Sequence, residues 1–458
     1  MSIVRPTPQD LIYSARAGKR AVKLWPDYAR LAIGASMTRV GREAVHETIG
    51  HKESAPPRPY RQDESRVPVQ IVTPPSSHYM TTFFDIDPIS PTGRYLVVTQ
   101  VPFIWRIPYP GDLAKVVVID LQQGTATPVY TTAGWGAQLG ANVQWGNDDH
   151  TIFCNDVVDG QPTGVRIDLL SGRAETLGGP IYGLTPDKKY SFSGRLDYIN
   201  AGIPGYGVPE KLFRRQRQSD AQSESDGIWR TDLDTGRSEL FLSVNEIVSA
   251  LPEQDHLRGA TYYIFNVKIN RQGTRGFVVV FTRNTPKRAG WPPQLVTFDL
   301  DGQDIRLAMP DRLWRVGGHH PSWLPDGQNI LMNLRRAGSN QMEFVRFGFD
   351  GSNMQTVAAG NKGGGHPSIN PQYTHLITDA YVSETFLDKN GDVPIRCINL
   401  ADGNDAPIAR AFTGRIAGHR RVDPHPVWSG GGSRVVFNGL VDGKRQVMIA
   451  DTSGICAG

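Results

Sequence analysis

His320-Pro-Ser-Trp-Leu-Pro-Asp-Gly327 leads into the apolar run Ile330-Leu-Met332, and two later stretches open the same way. They read His366-Pro-Ser-Ile-Asn-Pro-Gln-Tyr373 and His425-Pro-Val-Trp-Ser-Gly-Gly-Gly432. Four more degenerate copies lie upstream: Ile86-Asp-Pro-Ile-Ser-Pro-Thr-Gly93, Asn142-Val-Gln-Trp-Gly-Asn-Asp-Asp149, Ile181-Tyr-Gly-Leu-Thr-Pro-Asp-Lys188 and Asn266-Val-Lys-Ile-Asn-Arg-Gln-Gly273. Each is followed by a β-rich run such as Tyr95-Leu-Val-Val-Thr99 or Phe277-Val-Val-Val-Phe281. Asp-Gly and Pro-Asp-Gly supply the positive φ that tight turns between strands need. Copies begin at residues 86, 142, 181, 266, 320, 366 and 425, a spacing suited to four-stranded blades with loop insertions. The sequence therefore predicts an all-β fold, a seven-bladed β-propeller spanning 67–458. Closing the blades into a circle removes the exposed sheet edges that invite aggregation. The third copy is the weakest, and the Ser/Gln-rich stretch at 216–225 reads as a surface insertion.

Residues 1–66 lie outside this repeat and read as a short N-terminal helical or irregular extension. Thr7 offers an N-cap with Pro8 at the first helical position, and Ala55-Pro-Pro-Arg-Pro-Tyr60 reads as an extended linker. The extension holds 12 Lys/Arg against 7 Asp/Glu, so it carries +5 and the rest of the chain −1 of the net charge of +4. A nearly neutral body argues against nucleic acid as the main partner. Cys154, Cys397 and Cys456 are too few and too widely spaced for a disulfide framework. No secretory leader is visible at the start, and no stretch reaches the ~18 apolar residues needed to span a bilayer. Those signs predict no membrane partner and a cytoplasmic location.

Radial repeats place equivalent residues around one axis, so distant positions meet on one face. The position leading into each innermost strand supplies Asn142, Asn266, His320, His366 and His425, with His319, Arg420 and Asp423 close by. Loops joining second and third strands open on the same face. They supply Arg106, Asn155, Asp156, Arg283, Arg335, Arg336, Asp379, Tyr381 and Asn438. One His-Pro would be turn chemistry; three in consecutive repeats point to a metal or a catalytic base. His375 falls inside a strand, off the shared position, and reads as structural. The cations and amides around the funnel suit an acidic substrate.

The C-terminal half, about residues 260–453, resembles the oligogalacturonate lyases, seven-bladed propellers that cleave uronic-acid oligomers by β-elimination. The resemblance is carried by His320-Pro-Ser-Trp-Leu-Pro-Asp-Gly327, by Gly365-His366 with Thr378-Asp379, and by Asp423-Pro-His425-Pro-Val-Trp-Ser429 with Ile449-Ala-Asp451. It implies that His320 is the general base, and that His366 and His425 ligate a divalent metal, typically manganese. Where the family has a Gln and a His ahead of the last ligand, this chain has Arg420 and Asp423. Aspartate can ligate Mn²⁺ or Ca²⁺, whereas arginine cannot. The family's catalytic arginine aligns with Gln294, and Arg283 is the candidate replacement.

The expectation is a metal-assisted lyase for uronic-acid-containing oligosaccharides. His320 and Arg283 would be catalytic, and His366, His425 and Asp423 would hold Mn²⁺ or Ca²⁺. Arg420, Arg106, His319, Asn142 and Asn266 would face the substrate. Two other readings stay open: a propeller hydrolase of glycosides or lactones, and a non-enzymatic binding propeller of the TolB type.

Overall fold

Tyr95–Val101 shows how one repeat becomes a blade. It pairs antiparallel with His78–Met80 on one side and Ala114–Asp120 on the other. Leu96, Val97 and Val98 are all buried, although they point alternately to opposite faces. Both faces are covered because each blade is packed between two others, which is why these strands read as continuous apolar runs rather than alternating ones.

The structure is a computed structural model that describes residues 51–209, 219–220, 224–252, 261–283, 293–381, 386, 390–414 and 416–456. The Thr7–Pro8 helix start lies outside the described residues. Seven antiparallel sheets of four or five strands form the blades of the propeller. Their innermost strands are His78–Met80, Gln144–Trp145, Gly183–Leu184, Thr261–Ile269, Gly318–Trp323, Ser368–Ile369 and Val427–Ser429. No described helix is long and apolar enough to cross a membrane.

The seventh blade joins the two ends of the ring. Its inner three strands, Val427–Ser429, Arg434–Val441 and Lys444–Asp451, come from the end of the chain. The fourth is Val69–Ile71, which pairs with Met448 to Ala450, and Arg58–Pro59 adds a fifth. Glu53–Ser54 pairs onto the outer strand of the first blade, Thr125–Thr132. Sheet pairing thus begins within the expected extension 1–66, and Arg58–Pro59 is paired strand rather than free linker. The third-blade insertion also differs from a plain surface loop. Ser219–Asp220 pairs with Thr261 and Tyr262 of the next blade.

Apolar clusters fill the spaces between blades. Val69, Ile71, Ile377, Ile395, Val435, Phe437 and Met448 share one of them, at the seam of the sixth and seventh blades. Another lies beside the axis and includes Phe83, Phe84, Leu196, Ile199 and Phe265. Leu196 and Ile199 sit three apart on the helix Leu196–Gly202, which turns that face inward.

Ile71 both fills the seam and belongs to the strand that closes the ring. Ile71→Ala is expected to cost ~2–5 kcal/mol in urea denaturation. Leu170→Ala, at a side chain 75% exposed, should change stability by less than ~0.5 kcal/mol.

Candidate active site

Four of the residues expected at the head of innermost strands adopt the left-handed backbone region: Asn142 (φ 53°) and His425 (φ 48°) just before their strands, and Asn266 (φ 62°) and His320 (φ 58°) within theirs. Asn and His accept that region more readily than most side chains. In the sixth blade Gly365 takes it instead, at φ 62°, and His366 follows. A Cβ on Gly365 would lie 2.1 Å from the Asp379 carbonyl oxygen, so only glycine fits. At Asn266 and His320 the positive φ coincides with a register shift against the next strand. Such bulges re-aim a side chain.

The three imidazoles meet. His320 stacks on His366 with ring centroids 3.8 Å apart, and His425 meets His366 edge-on at 4.3 Å. Phe83 packs 4.8 Å from His425, and Phe84 packs 5.3 Å from His366 and 5.6 Å from His320. His319 lies 4.6 Å from His320, its Nδ1 accepting from Asn333 Nδ2 at 3.2 Å.

Hydrogen-bond partners assign the tautomers. His320 Nδ1 is 2.6 Å from the Gly365 carbonyl, which can only accept, so Nδ1 carries the proton. His320 Nε2 then keeps its lone pair and accepts from the Tyr381 hydroxyl at 2.8 Å. His366 Nδ1 lies 2.8 and 3.0 Å from the two oxygens of Asp379 and donates to that carboxylate. Asp379 also accepts from the backbone N–H groups of His366 and His425, at 2.8 and 3.1 Å. His366 Nε2 is left bare. Among the described residues, neither it nor either ring nitrogen of His425 has a hydrogen-bond partner, although all three are buried.

Burial also sets the charge. It holds His320 and His425 well below the ordinary histidine pKa, aided in both by the nearness of His366. Burial and His366 together bring His319 down to about 3. Burial raises Asp423 despite the opposing pull of Arg421, whose Nε donates to Asp423 Oδ2 at 2.6 Å. Arg421 also donates to the Tyr206 hydroxyl at 2.5 Å and lies 5.4 Å over the Tyr381 ring. Burial pushes Tyr206 up to about 12.

These atoms fit a divalent cation. One donor atom each from His366, Asp423 and His425 lies within 4.8 Å of the others. Buried polar atoms are normally hydrogen-bonded, so orphaned imidazole nitrogens facing a carboxylate need another partner. A carboxylate on the far nitrogen of His366 is the usual support of a ligating histidine.

The structure brings together His319, His320, His366, His425 and Asp423, and it sends other expected residues elsewhere. Arg420 is exposed on the short turn Gly418–Arg420, donating to the Trp105 carbonyl at 3.2 Å. Arg106 is paired with Asp112 at 2.5 and 2.8 Å and lies 3.8 Å over the Phe103 ring. Asn142 Nδ2 is used by the Ile181 carbonyl at 2.7 Å, and Asn266 Oδ1 by the Tyr182 hydroxyl at 2.7 Å. Both asparagines line an axial cavity of about 640 Å³, with Phe83, Asp85 and Lys268 also on its wall. The side chain of Arg283 lies outside the described residues. Gln294 is wholly buried on the strand Pro293–Asp299.

Two arginines were missed. Arg421, Asp423 and His425 alternate along an extended segment, so they share a side while Val422 is buried on the other. That period of two pointed to Arg421 rather than Arg420. Arg445 is fully buried at the start of Lys444–Asp451, and its Nε and Nη2 have no hydrogen-bond partner. It lowers the basicity of His425 and interacts with Asp423. Burial brings Arg445 itself down to about 10. Beside the Asp442-Gly443 turn it reads in sequence as a solvated charge, so no local signal distinguishes it.

No family model matches the chain, and no curated protein matches it in sequence. Solved structures do match. An oligogalacturonate lyase in complex with manganese superposes with a TM-score of 0.61 at 16% identity, over 88% of this chain and 97% of the other. The oligogalacturonate lyase of Vibrio parahaemolyticus gives 0.61 at 13% identity, over 88% and 98%. At these identities the likeness establishes the shared propeller fold.

If the buried donors hold a cation, purified protein should carry about one divalent ion at this centre. His366→Ala combined with His425→Ala should remove that ion, as read by elemental analysis. Asp379→Asn, which keeps both ligands but weakens their support, should lower metal affinity ~10–100-fold.

Proposed function

We propose that the protein is a metal-assisted lyase that cleaves uronic-acid-containing oligosaccharides by β-elimination. The observation that carries this reading is the pairing of a neutral base with a buried cation-ligating cluster. His320 Nε2 keeps its lone pair while its ring stacks 3.8 Å from His366, whose own Nε2 is unpartnered. The reaction needs those two functions side by side. A proton beside a carboxylate is only weakly acidic, and its removal leaves enolate-like charge on that carboxylate.

His366, His425 and Asp423 would hold the cation, Mn²⁺ or Ca²⁺. When bound, it supplies Lewis-acid stabilisation of negative charge on the substrate carboxylate. His320 Nε2 takes the proton next to that carboxylate, and the glycosidic oxygen leaves from the adjacent carbon. The Gly365 carbonyl keeps the proton on His320 Nδ1 and so keeps Nε2 the basic atom. The Tyr381 hydroxyl donates to that atom and orients its lone pair until the substrate proton takes the hydroxyl's place. Phe83 and Phe84 exclude water from the imidazoles, which strengthens electrostatic interactions in the site.

The charge balance favours an acidic substrate. Among the described residues, Lys268, Arg421 and Arg445 stand against Asp85, Asp379 and Asp423, three of each sign. A divalent ion tips that balance to positive, and a uronate carboxylate restores it. Arg421 and Arg445 are the protein's own cations beside the cluster. The two lyases of the same fold support the reading, one of them described in complex with manganese.

The test is ultraviolet absorbance with uronate oligomers of varied linkage in the presence of Mn²⁺ or Ca²⁺. Elimination creates an unsaturated uronate that absorbs, whereas hydrolysis does not; bond cleavage without absorbance would make the protein a hydrolase. His320→Ala should lower kcat by ~10²–10⁴-fold with metal content unchanged. Arg421→Ala should cost at least ~30-fold in kcat/KM, the loss that follows truncation of a buried ion-pair partner. Arg420→Ala, at an exposed neighbour, should stay within about twofold of the parent.

A further inference from the structure

A second group of ligating side chains lies away from the axis. His375 is on the strand His375–Thr378 and Cys397 is on Asp392–Asn399 of the same blade. Their pairing sets Ile377 opposite Cys397 and His375 opposite Asn399, so His375 and Cys397 are diagonal neighbours on one face. Cys456 ends the short helix Ser453–Cys456, which follows the last strand of the seventh blade. The Thr452 carbonyl holds that turn by accepting from the N–H groups of Ile455 and Cys456, at 3.0 and 2.9 Å.

The two sulfurs are 4.0 Å apart. An imidazole nitrogen of His375 completes a set of three donor atoms, all within 4.8 Å of one another. A disulfide requires ~2.05 Å between sulfurs. Two thiolates on one tetrahedral zinc-sized ion, each bond ~2.3 Å, stand about 3.8 Å apart. The observed spacing is too long for a disulfide and close to that of co-ligands. His375 Nδ1 lies 3.0 Å from Thr374 Oγ1, a contact that fixes the ring as ligating histidines usually are fixed. Both thiols adjoin the apolar cluster of Val69, Ile395, Ile408 and Phe437. Buried cysteines often serve there simply as small apolar groups. Neither that role nor a thiol–thiol hydrogen bond accounts for the half-buried histidine whose nitrogen joins the two sulfurs.

We propose that His375, Cys397 and Cys456 bind a soft divalent cation of the zinc class, with water in the fourth position. Two thiolates and a neutral imidazole cancel the charge of such an ion, which makes it tolerable beside an apolar core. The ion would staple the C-terminal turn to the sixth blade, across the seam of the sixth and seventh blades.

The experiment uses the full chain carrying His366→Ala and His425→Ala, so that the axial centre does not contribute. Titration with Co²⁺ should produce a thiolate-to-cobalt charge-transfer band that saturates at one equivalent, and Zn²⁺ should bleach it. Cys397→Ser or Cys456→Ser should abolish the band. His375→Gln, at a half-buried position that leaves the core intact, should weaken Co²⁺ binding by at least ~10-fold. The proposal is overturned if no thiolate band appears, or if His375→Gln binds Co²⁺ as tightly as its parent. A Cys397–Cys456 disulfide found by mass analysis of zinc-treated protein would overturn it equally.

Discussion

A single carboxylate organises the centre of this molecule. Asp379 is wholly buried, where an unpaired charge would be intolerable, and it survives because three N–H donors converge on it. Two come from His366, backbone and ring, and the third from the backbone of His425. The first pair fixes the tautomer and rotation of His366. The third ties the lead-in segment of the seventh blade to that of the sixth. One charged group therefore sets the spacing of two imidazoles that come from different blades. Gly365 lets the chain approach closely enough for this to happen, since any side chain there would strike the backbone of Asp379.

Burial supplies the second half of the chemistry. The imidazoles of His320 and His425 are held neutral by the cost of placing charge among Phe83, Phe84 and one another. Neutral rings are the form in which histidine can accept a proton or hold a cation. Nearby cations work in the same direction, for Arg421 and Arg445 both disfavour protonation of His425. Asp423 is constrained in the opposite sense. Removal from water favours its protonated form, and Arg421 at 2.6 Å opposes that. The result is a pocket where base, carboxylate and arginine are each kept in a usable state by the others.

The fold was legible because the turn phrase is local. Pro-Asp-Gly and its variants specify hairpins whatever surrounds them, and seven copies specify seven sheets. The histidines were legible because His-Pro recurs at one repeat position in three consecutive blades; His320 and His425 also take a left-handed backbone, which only a few residue types adopt readily, whereas Gly365 takes it ahead of His366. Asn142 and Asn266 show how far that signal extends. They share the backbone state of His320 and His425, yet their amides are taken by Ile181 and Tyr182. Backbone conformation selected the residue types, and neighbours decided which of them remained available. Arg445 was illegible because its burial depends on the loop at Ala137 and on blade packing, both distant in sequence. Arg106 illustrates the converse, a cation on a suitable loop that its own Asp112 captures. The early strands were hidden too, because Arg58–Pro59 and Glu53–Ser54 are strands only by virtue of the edges they join.

Those edges connect the architecture to the chemistry. Asp423 and His425 lead into the seventh blade, and Arg445 opens its third strand. Among the described residues, the outer side of that third strand pairs with Val69–Ile71, which comes from the opposite end of the chain. A propeller closed within one blade's own sequence would leave its cluster indifferent to the N-terminal strands. Here the blade carrying Asp423 and His425, two of the three candidate cation donors, is complete only when residues before the first repeat have docked. Thr73 extends the dependence inward: its hydroxyl bonds Gln446 and the N–H of Val447, one and two residues past Arg445. Ring closure and site geometry are therefore structurally coupled. Loosening of the outer edge should propagate to Arg445, Asp423 and His425 before it reaches His320, which rests on the fifth and sixth blades.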